Sequence, residues 1–278
     1  MNEAQSAISI EKLVHRYPNG HEALHDIDLE ISNGKVVALV GKNGAGKTTL
    51  AKHINALLRP TSGTVRVMGV DTSSMTASEM ARKVGYVFQN PEDQLFESSV
   101  QDEVAFGPKN LGMNREDIKN QVTKALSLVG LSSLTSEHPY NLTYGQRKML
   151  CIASILAMRP DILILDEPNA GQDYFGLSRL GTILEQLSRD DKTILLISHD
   201  MDFVATYSDE ITLMHGGKVV AYGPTRSVLS DLSTLGLTAV RPPQVTRLAI
   251  RLSNDRIRHD IMTVDEMAET LINCARQA

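Results

Sequence analysis

The chain is poor in the features that would mark it as secreted, membrane-spanning or nucleic-acid-binding. Among 278 residues there are two cysteines, Cys151 and Cys274, far apart and without a Cys-x-x-Cys or Cys/His spacing. That excludes a disulfide framework and a thiolate metal site; each sits in a segment of helical pattern and is expected to be a reduced, buried thiol. No run approaches the roughly 18 apolar residues of a bilayer span, and the purest, 36–40 and 162–165, are strand length. The opening MNEAQSAISIEK lacks the basic segment, apolar core and small-residue cleavage site of a secretory signal, so a cytoplasmic protein is expected. Positive charge is not in excess either: 28 Lys and Arg against 33 Asp and Glu leave a net charge of -5. Without a basic stripe to grip a phosphate backbone, nucleic acid is not an expected partner.

What is present is patterned like an α/β domain. At about 150 residues per domain the length implies one large domain or two small ones, with no internal repeat. Residues 8–31 alternate apolar and polar, with turn chemistry at Pro18-Asn19-Gly20 and Asn33-Gly34, which predicts short, partly antiparallel strands. VVALV at 36–40 reads as a buried parallel strand and runs straight into GKNGAGKTTL and an amphipathic stretch from Leu50 to Leu58. Short strands are expected at 64–68 and 84–88, and helices dominate about 99–159. Buried strands return at 162–165 and 193–197, separated by a helix-length segment as in βαβ units, then at 211–214 and 218–221. Beyond residue 231 the pattern changes: Arg241-Pro242-Pro243 interrupts it and helical periodicity follows.

The chemistry concentrates at strand ends. GKNGAGKT, Gly41 to Thr48, fits the eight-position phosphate-loop pattern between an apolar strand and an amphipathic helix. Its glycines let backbone N–H groups turn inward, the helix N-terminus adds partial positive charge, Lys47 reaches outer phosphates and the Thr48 hydroxyl suits Mg²⁺. ILILDEP places Asp166 at the end of a buried strand, where a carboxylate holds Mg²⁺ through water, and Glu167 beside it, where it polarises an attacking water. Gln89 is expected to end the GYVFQ strand, and His199 follows TILLIS; an open α/β sheet binds ligands at such ends.

The series Tyr17, the phosphate loop, Gln89, LTYGQ at 142–146, LDEP at 165–168, Asp173 and His199 resembles, in order and over about residues 8–225, the ATP-binding cassette ATPases. QNPEDQLF at 89–96, HRYPNG at 15–20 and PPQVTRLA at 242–249 are similar to the ATPase subunits of energy-coupling factor importers for vitamins or transition-metal ions. The resemblance implies a phosphate-loop, RecA-like α/β core with an antiparallel β subdomain, a helical subdomain at about 91–160 within a cassette of residues 1–230, and a small C-terminal helical extension at 231–278. It implies ATP and Mg²⁺ as cofactors, with ATP held by Tyr17 and by Gly41, Asn43, Gly44, Ala45, Gly46, Lys47, Thr48 and Thr49. Thr48, Gln89 and Asp166 would hold the metal, Glu167 would be the general base, and Gln89 and His199 would assist it. Thr143, Gly145, Gln146 and Asp173 would serve a nucleotide bound by a second ATPase subunit.

Partners implied are that second subunit, of the same or a related chain, and transmembrane coupling and substrate-binding proteins that seat this chain on the cytoplasmic face of the membrane. The region 89–109, with Asp93, Gln94 and Phe96, would receive the membrane protein's helices. The family pattern LSGGQ is departed from at Thr143 and Tyr144, and Asn169 and Gln172 stand where Thr or Ser and Leu are usual. The bulk of Tyr144 slightly favours a heterodimer over a homodimer. The alternatives are an ATPase of another transporter class or a weakly hydrolysing regulatory cassette; LTYGQ and His199 speak against a phosphate-loop kinase or GTPase. In the tail, Arg241, Arg247, Arg251, Arg256 and Arg258 alternate with acids such as Asp255 and Asp260, which reads as a solvated face or a dimer contact.

Overall fold

The computed structural model describes residues 6–253 and 257–276, so Asp255 and Arg256 lie outside the described residues. In chain order the elements are β1 (Ser6–Arg16), β2 (Glu22–Ser32), β3 (Val36–Val40), α1 (Lys47–Ile54), β4 (Ser62–Val67), β5 (Val70–Asp71), α2 (Ala77–Met80), β6 (Val84–Val87), α3 (Val100–Asn110), α4 (Arg115–Val129) and α5 (Tyr144–Leu156). There follow β7 (Ile162–Asp166), α6 (Tyr174–Arg189), β8 (Thr193–Ile197), α7 (Met201–Tyr207), β9 (Glu210–His215), β10 (Lys218–Pro224), α8 (Thr225–Ser230), α9 (Leu232–Thr238), α10 (Gln244–Leu252) and α11 (Val264–Arg276).

Two sheets organise them. A four-stranded sheet has the order β2-β1-β4-β5 with antiparallel pairing, and a six-stranded sheet has the order β10-β9-β3-β8-β7-β6. In the larger sheet β9, β3, β8, β7 and β6 are parallel and β10 alone is antiparallel. The continuous apolar runs are explained by burial on both faces. Leu163, Leu165, Ile194 and Leu196 pack under the helices α3 to α6, while Ile162, Ile164, Leu195 and Ile197 face α1 and the antiparallel sheet. Alternate side chains of one strand therefore feed two cores, and no polar face is left to water.

Local chemistry sets the breaks. The α1 helix stops at Ile54 rather than reaching Leu58, because Ala56 takes a left-handed φ of 61°. Strand β6 ends at Val87, so Gln89 sits in the loop two residues beyond the strand that was expected to carry it. Thiols divide: Cys151 is buried, and burial pushes its pKa up to about 12, but Cys274 is only half-buried, on the outermost helix. In the tail, α8 is tied to α11 by Arg226 and Glu266 at 2.5 Å, and Arg258 pairs with Asp260 at 2.9 Å.

Helix α5 lies so close to β6 that Gly85 has no room for a side chain. A Cβ there would run into Ile155 Cγ2 and stand 2.9 Å from Pro160 Cγ. Neither neighbour is the loose end of a flexible chain, so overpacking should destabilise by about 1–3 kcal/mol. Gly85→Ala is expected to lower the urea midpoint accordingly; an unchanged midpoint would show that α5 can move away from β6 freely.

Candidate active site

Because five strands of the larger sheet run parallel, their C-terminal ends share one edge, and the loops leaving β3, β6, β7 and β8 meet there. The loop after β3 is shaped by glycines that cannot be replaced. A Cβ on Gly41 would run into the Met214 carbonyl; Gly46, at φ 101°, is the left-handed N-cap of α1 and a Cβ on it would stand 2.9 Å from the Ala23 carbonyl. This bend aims the first turn of α1, with its free N–H groups, at the cleft. Lys47 folds back over the loop, donating to the carbonyls of Gly41 at 2.7 Å and Lys42 at 3.1 Å. Burial lowers its pKa, and the carboxylates of Glu167 and Asp166 oppose that shift by favouring the charged form.

Asp166 closes the site from the other side. Its Oδ2 accepts from Thr48 Oγ1 at 3.2 Å and from the Tyr86 hydroxyl at 2.9 Å, so α1, β6 and β7 are joined through one carboxylate. Burial raises the Tyr86 pKa, Asp166 adds to the shift, and the phenol stays a donor. Glu167 follows with φ 50°, a left-handed conformation that is sparsely populated outside glycine and costs about 1–3 kcal/mol unless its surroundings fix it. Its N–H donates to the Ile197 carbonyl at 2.9 Å. The buried Glu167 Oε2 stands 2.7 Å from His199 Nδ1, in ion-pair range but without hydrogen-bond alignment, and it has no aligned donor among the described residues.

Asn43, Gly44, Gly46, Lys47, Thr48, Thr49, Gln89, Asp166 and Glu167 line one cavity of about 290 Å³. Gly41 and Ala45 shape the loop behind it. Tyr17 reaches the same helix turn, its hydroxyl 3.0 Å from Thr49 Oγ1 and its ring edge-on to His15. Thr143, Gly145, Gln146 and Asp173 do not line the cavity. Thr143 caps α5 in a capping box with Gln146, and Asp173 caps α6 by accepting from Gly176 N at 2.8 Å.

The residues that depart from the family pattern have partners. The Tyr144 ring lies on Gly171, φ 73°, where a Cβ would be 2.5 Å from Tyr144 Cδ1; Arg147 lies 5.9 Å from the centre of the same ring. Gln172 donates to the Gly145 carbonyl at 3.1 Å. Asn169 accepts from Ser198 Oγ at 3.0 Å and donates to Asp200 at 3.4 Å, linking the loop that holds Glu167 to the one that holds His199.

The family model described as ABC transporter matches residues 24–170. The chain belongs to the ABC transporter family. This cassette is 37% identical over 275 residues to the energy-coupling factor transporter ATP-binding protein EcfA of Methanocaldococcus jannaschii, covering 97% of this chain and 98% of that one. It is 38% identical to EcfA2 of Clostridium tetani over 96% of each. A putative ABC transporter ATP-binding protein of Methanosarcina acetivorans is 43% identical, but the chain spans only 40% of its length. Among solved structures, cbiO1 from Clostridium perfringens, described as part of the ABC transporter complex cbiONQ, superposes with a TM-score of 0.75 at 33% identity, over 88% of this chain and 98% of that one.

Several residues around the cassette's cleft carry no sequence signal. Tyr86 reads as a strand aromatic, and Lys148 as any lysine of an amphipathic helix. His53 of α1 is fully buried, with Nδ1 2.7 Å from the Thr49 carbonyl and Nε2 3.1 Å from His15 Nδ1. Burial lowers its pKa, the Thr49 carbonyl opposes the shift and His15 adds to it. The folded state thus binds fewer protons at this site than the unfolded chain, in which a histidine titrates near 6.5. Stability that His53 contributes above that pH is lost as the pH falls below it, toward the lower folded value. Urea midpoints at pH 7.5 and 5.5 are expected to differ more in the wild type than in His53→Gln; equal differences would remove His53 from the acid response.

Proposed function

We propose that this chain binds Mg-ATP and hydrolyses it to drive uptake of a vitamin or a transition-metal ion through an importer of the energy-coupling factor type. The observation that carries the reading is the single cavity in which Lys47, Thr48, Gln89, Asp166 and Glu167 converge, with His199 beside the glutamate. Full-length similarity to EcfA proteins supports the importer class.

The residues suit the chemistry. The first turn of α1 and Lys47 would take the β- and γ-phosphates, and Tyr17 stands where an aromatic face could meet adenine. Thr48, Gln89 and Asp166 offer hard oxygen donors on one wall of the cavity, which fits Mg²⁺; bound there, the ion neutralises phosphate charge. Glu167 Oε2, buried and without an aligned donor, would accept the proton of the attacking water, and His199 at 2.7 Å would hold the carboxylate in place and meet the γ-phosphate. Glu167→Gln keeps the size of the side chain but cannot take a proton. Steady-state hydrolysis should fall about 10²- to 10⁴-fold with ATP affinity nearly unchanged; turnover within a few-fold of wild type would refute the base assignment.

A second ATPase subunit would face the cleft with its own signature turn. In this chain the Tyr144 ring is held on Gly171 and beside Arg147, which leaves the backbone N–H groups at the start of α5 free for a partner's phosphate. That arrangement supports tolerance of the ring in a symmetric pair and weakens the argument for a heterodimer.

No helix among the described residues is long and apolar enough to cross a membrane, so membrane attachment would run through a protein partner on the cytoplasmic face. The turn before α3 is the surface we assign to it. Buried Glu103 accepts from the N–H groups of Phe96 at 2.9 Å and Glu97 at 2.8 Å, and this grip presents Phe96, 62% exposed, edge-on to Phe106. Asp93→Lys combined with Phe96→Ala should reduce co-purification with the transmembrane chain and leave ATP affinity intact. Full co-purification would place the contact elsewhere.

A further inference from the structure

Lys148 is the most unusual polar residue of the fold outside the cleft. It lies in the second turn of α5 with 0% exposure, and none of the ion pairs among the described residues includes it. An ammonium withdrawn from water is tolerated only when hydrogen bonds replace its hydration. Its Nζ donates to the Gln89 carbonyl at 2.7 Å and, more weakly, to the Asp166 carbonyl at 3.4 Å. Burial lowers its pKa, while the nearby Asp166 and Glu167 carboxylates favour its charge from a distance.

Both acceptors belong to peptides on which the hydrolytic reading depends. The Asp166 carbonyl begins the peptide whose N–H, that of Glu167, donates to the Ile197 carbonyl at 2.9 Å. That peptide is therefore gripped at its oxygen by Lys148 and at its nitrogen by β8, and it leads into the left-handed φ of 50° at Glu167. An unfavourable backbone conformation persists only where its surroundings over-determine it, and a two-sided grip does this. The Gln89 carbonyl is held from the same helix. Gln94 adds a parallel tie: its amide donates to the Cys151 carbonyl at 3.0 Å and to Ser154 Oγ at 3.1 Å, while its oxygen accepts from Phe88 N at 3.1 Å. Loop 88–94 is thus fastened to α5 at two levels, one turn apart.

We propose that Lys148 is a positioning residue which fixes the Gln89 loop and the Asp166–Glu167 peptide on α5, so that the general base, the Gln89 loop and the Thr143–Gln146 turn of one chain move as a single body. The inference rests on the hydrolytic reading of Glu167. It gives a buried charge a task that a neutral side chain cannot perform: one ammonium can satisfy two carbonyls that leave from different strand ends. A movement of α5, whose first turn would meet a partner's nucleotide, is then transmitted to the chain's own Glu167 without a change in the phosphate loop.

The test uses the purified full chain and Lys148→Met, which keeps the length of the side chain and removes the donor. Turnover should fall about 10- to 100-fold, the scale of a small misplacement of reacting groups, with the dissociation constant for a fluorescent ATP analogue within about threefold of wild type. Amide hydrogen exchange should quicken at least about tenfold in 88–94 and 166–169 and stay unchanged in 41–49. Lys148→Arg, which retains the donors, should recover most of the turnover. If Lys148→Met does not fold, Lys148→Gln, able to reach one carbonyl, should give intermediate losses. Turnover within threefold of wild type in the folded donor-free or one-donor variant, or faster exchange spread equally over 41–49, would overturn the proposal. Exchange is read without turnover, so a wild-type chain that does not hydrolyse ATP refutes the hydrolytic reading alone, and unchanged exchange in 88–94 refutes the tie alone.

Discussion

One carboxylate holds the site together. Asp166 Oδ2 takes both the Thr48 hydroxyl and the Tyr86 phenol, and so joins the helix that follows the phosphate loop to two adjacent strand ends. Everything else in the cleft is placed relative to that junction. The glycine bend at 41–46 exists so that α1 can begin there, and Lys47 can lie back over the loop only because Gly41 passes tightly under the Met214 carbonyl. Glu167, one residue further on, leaves the strand in a left-handed turn that aims its carboxylate into the cavity rather than along the sheet. Hydrogen bonds to a charged acceptor in a site this buried are stronger than between neutral groups, and leaving such an acceptor unpaired would be correspondingly unfavourable.

Much of this was legible in the sequence, for a physical reason. A strand buried on both faces must be continuously apolar, so 36–40, 162–165 and 193–197 announce both their secondary structure and their place in the sheet. The phosphate loop, Asp166 and Glu167 stand at the ends of those runs, and the parallel topology brings such ends to one edge. What the sequence could not show are contacts that depend on the third dimension. Tyr86 and Asp166 are 80 residues apart, and nothing in GYVFQ distinguishes a phenol that meets a carboxylate from one that packs in a core. The same holds for His53 and His15, whose ring contact needs β1 and α1 side by side. Gln89 was placed on a strand because apolar periodicity runs up to it; the ladder ends at Val87, where pairing with β7 ends. Cys274 was read as buried because its helix has an apolar stripe, yet α11 is the last helix of the described chain and leaves part of that stripe in water.

The departures from the family pattern also make sense as geometry. Asn169 and Gln172 replace smaller or apolar residues and use their amides to bind neighbouring loops, one toward His199 and one toward the start of α5. Tyr144 needs Gly171 opposite it, since only a residue without a Cβ leaves room for the ring. The loop from 167 to 173 is therefore tied to the His199 loop at one end and to the signature turn at the other. A nucleotide-dependent shift at either end would be felt along the whole segment, which is how packed, hydrogen-bonded elements carry coupling between sites.

The central claim is that the phosphate loop and the end of β7 form one nucleotide site. The measurement that tests it most directly is a crystal structure of the chain with a non-hydrolysable ATP analogue and Mn²⁺, the metal located by its anomalous signal. The account predicts the γ-phosphate between Lys47 and Glu167, the metal against Thr48 and Gln89, and the adenine beside Tyr17. A nucleotide bound away from this cleft, or a metal with no contact to Thr48, Gln89 or Asp166, would contradict it.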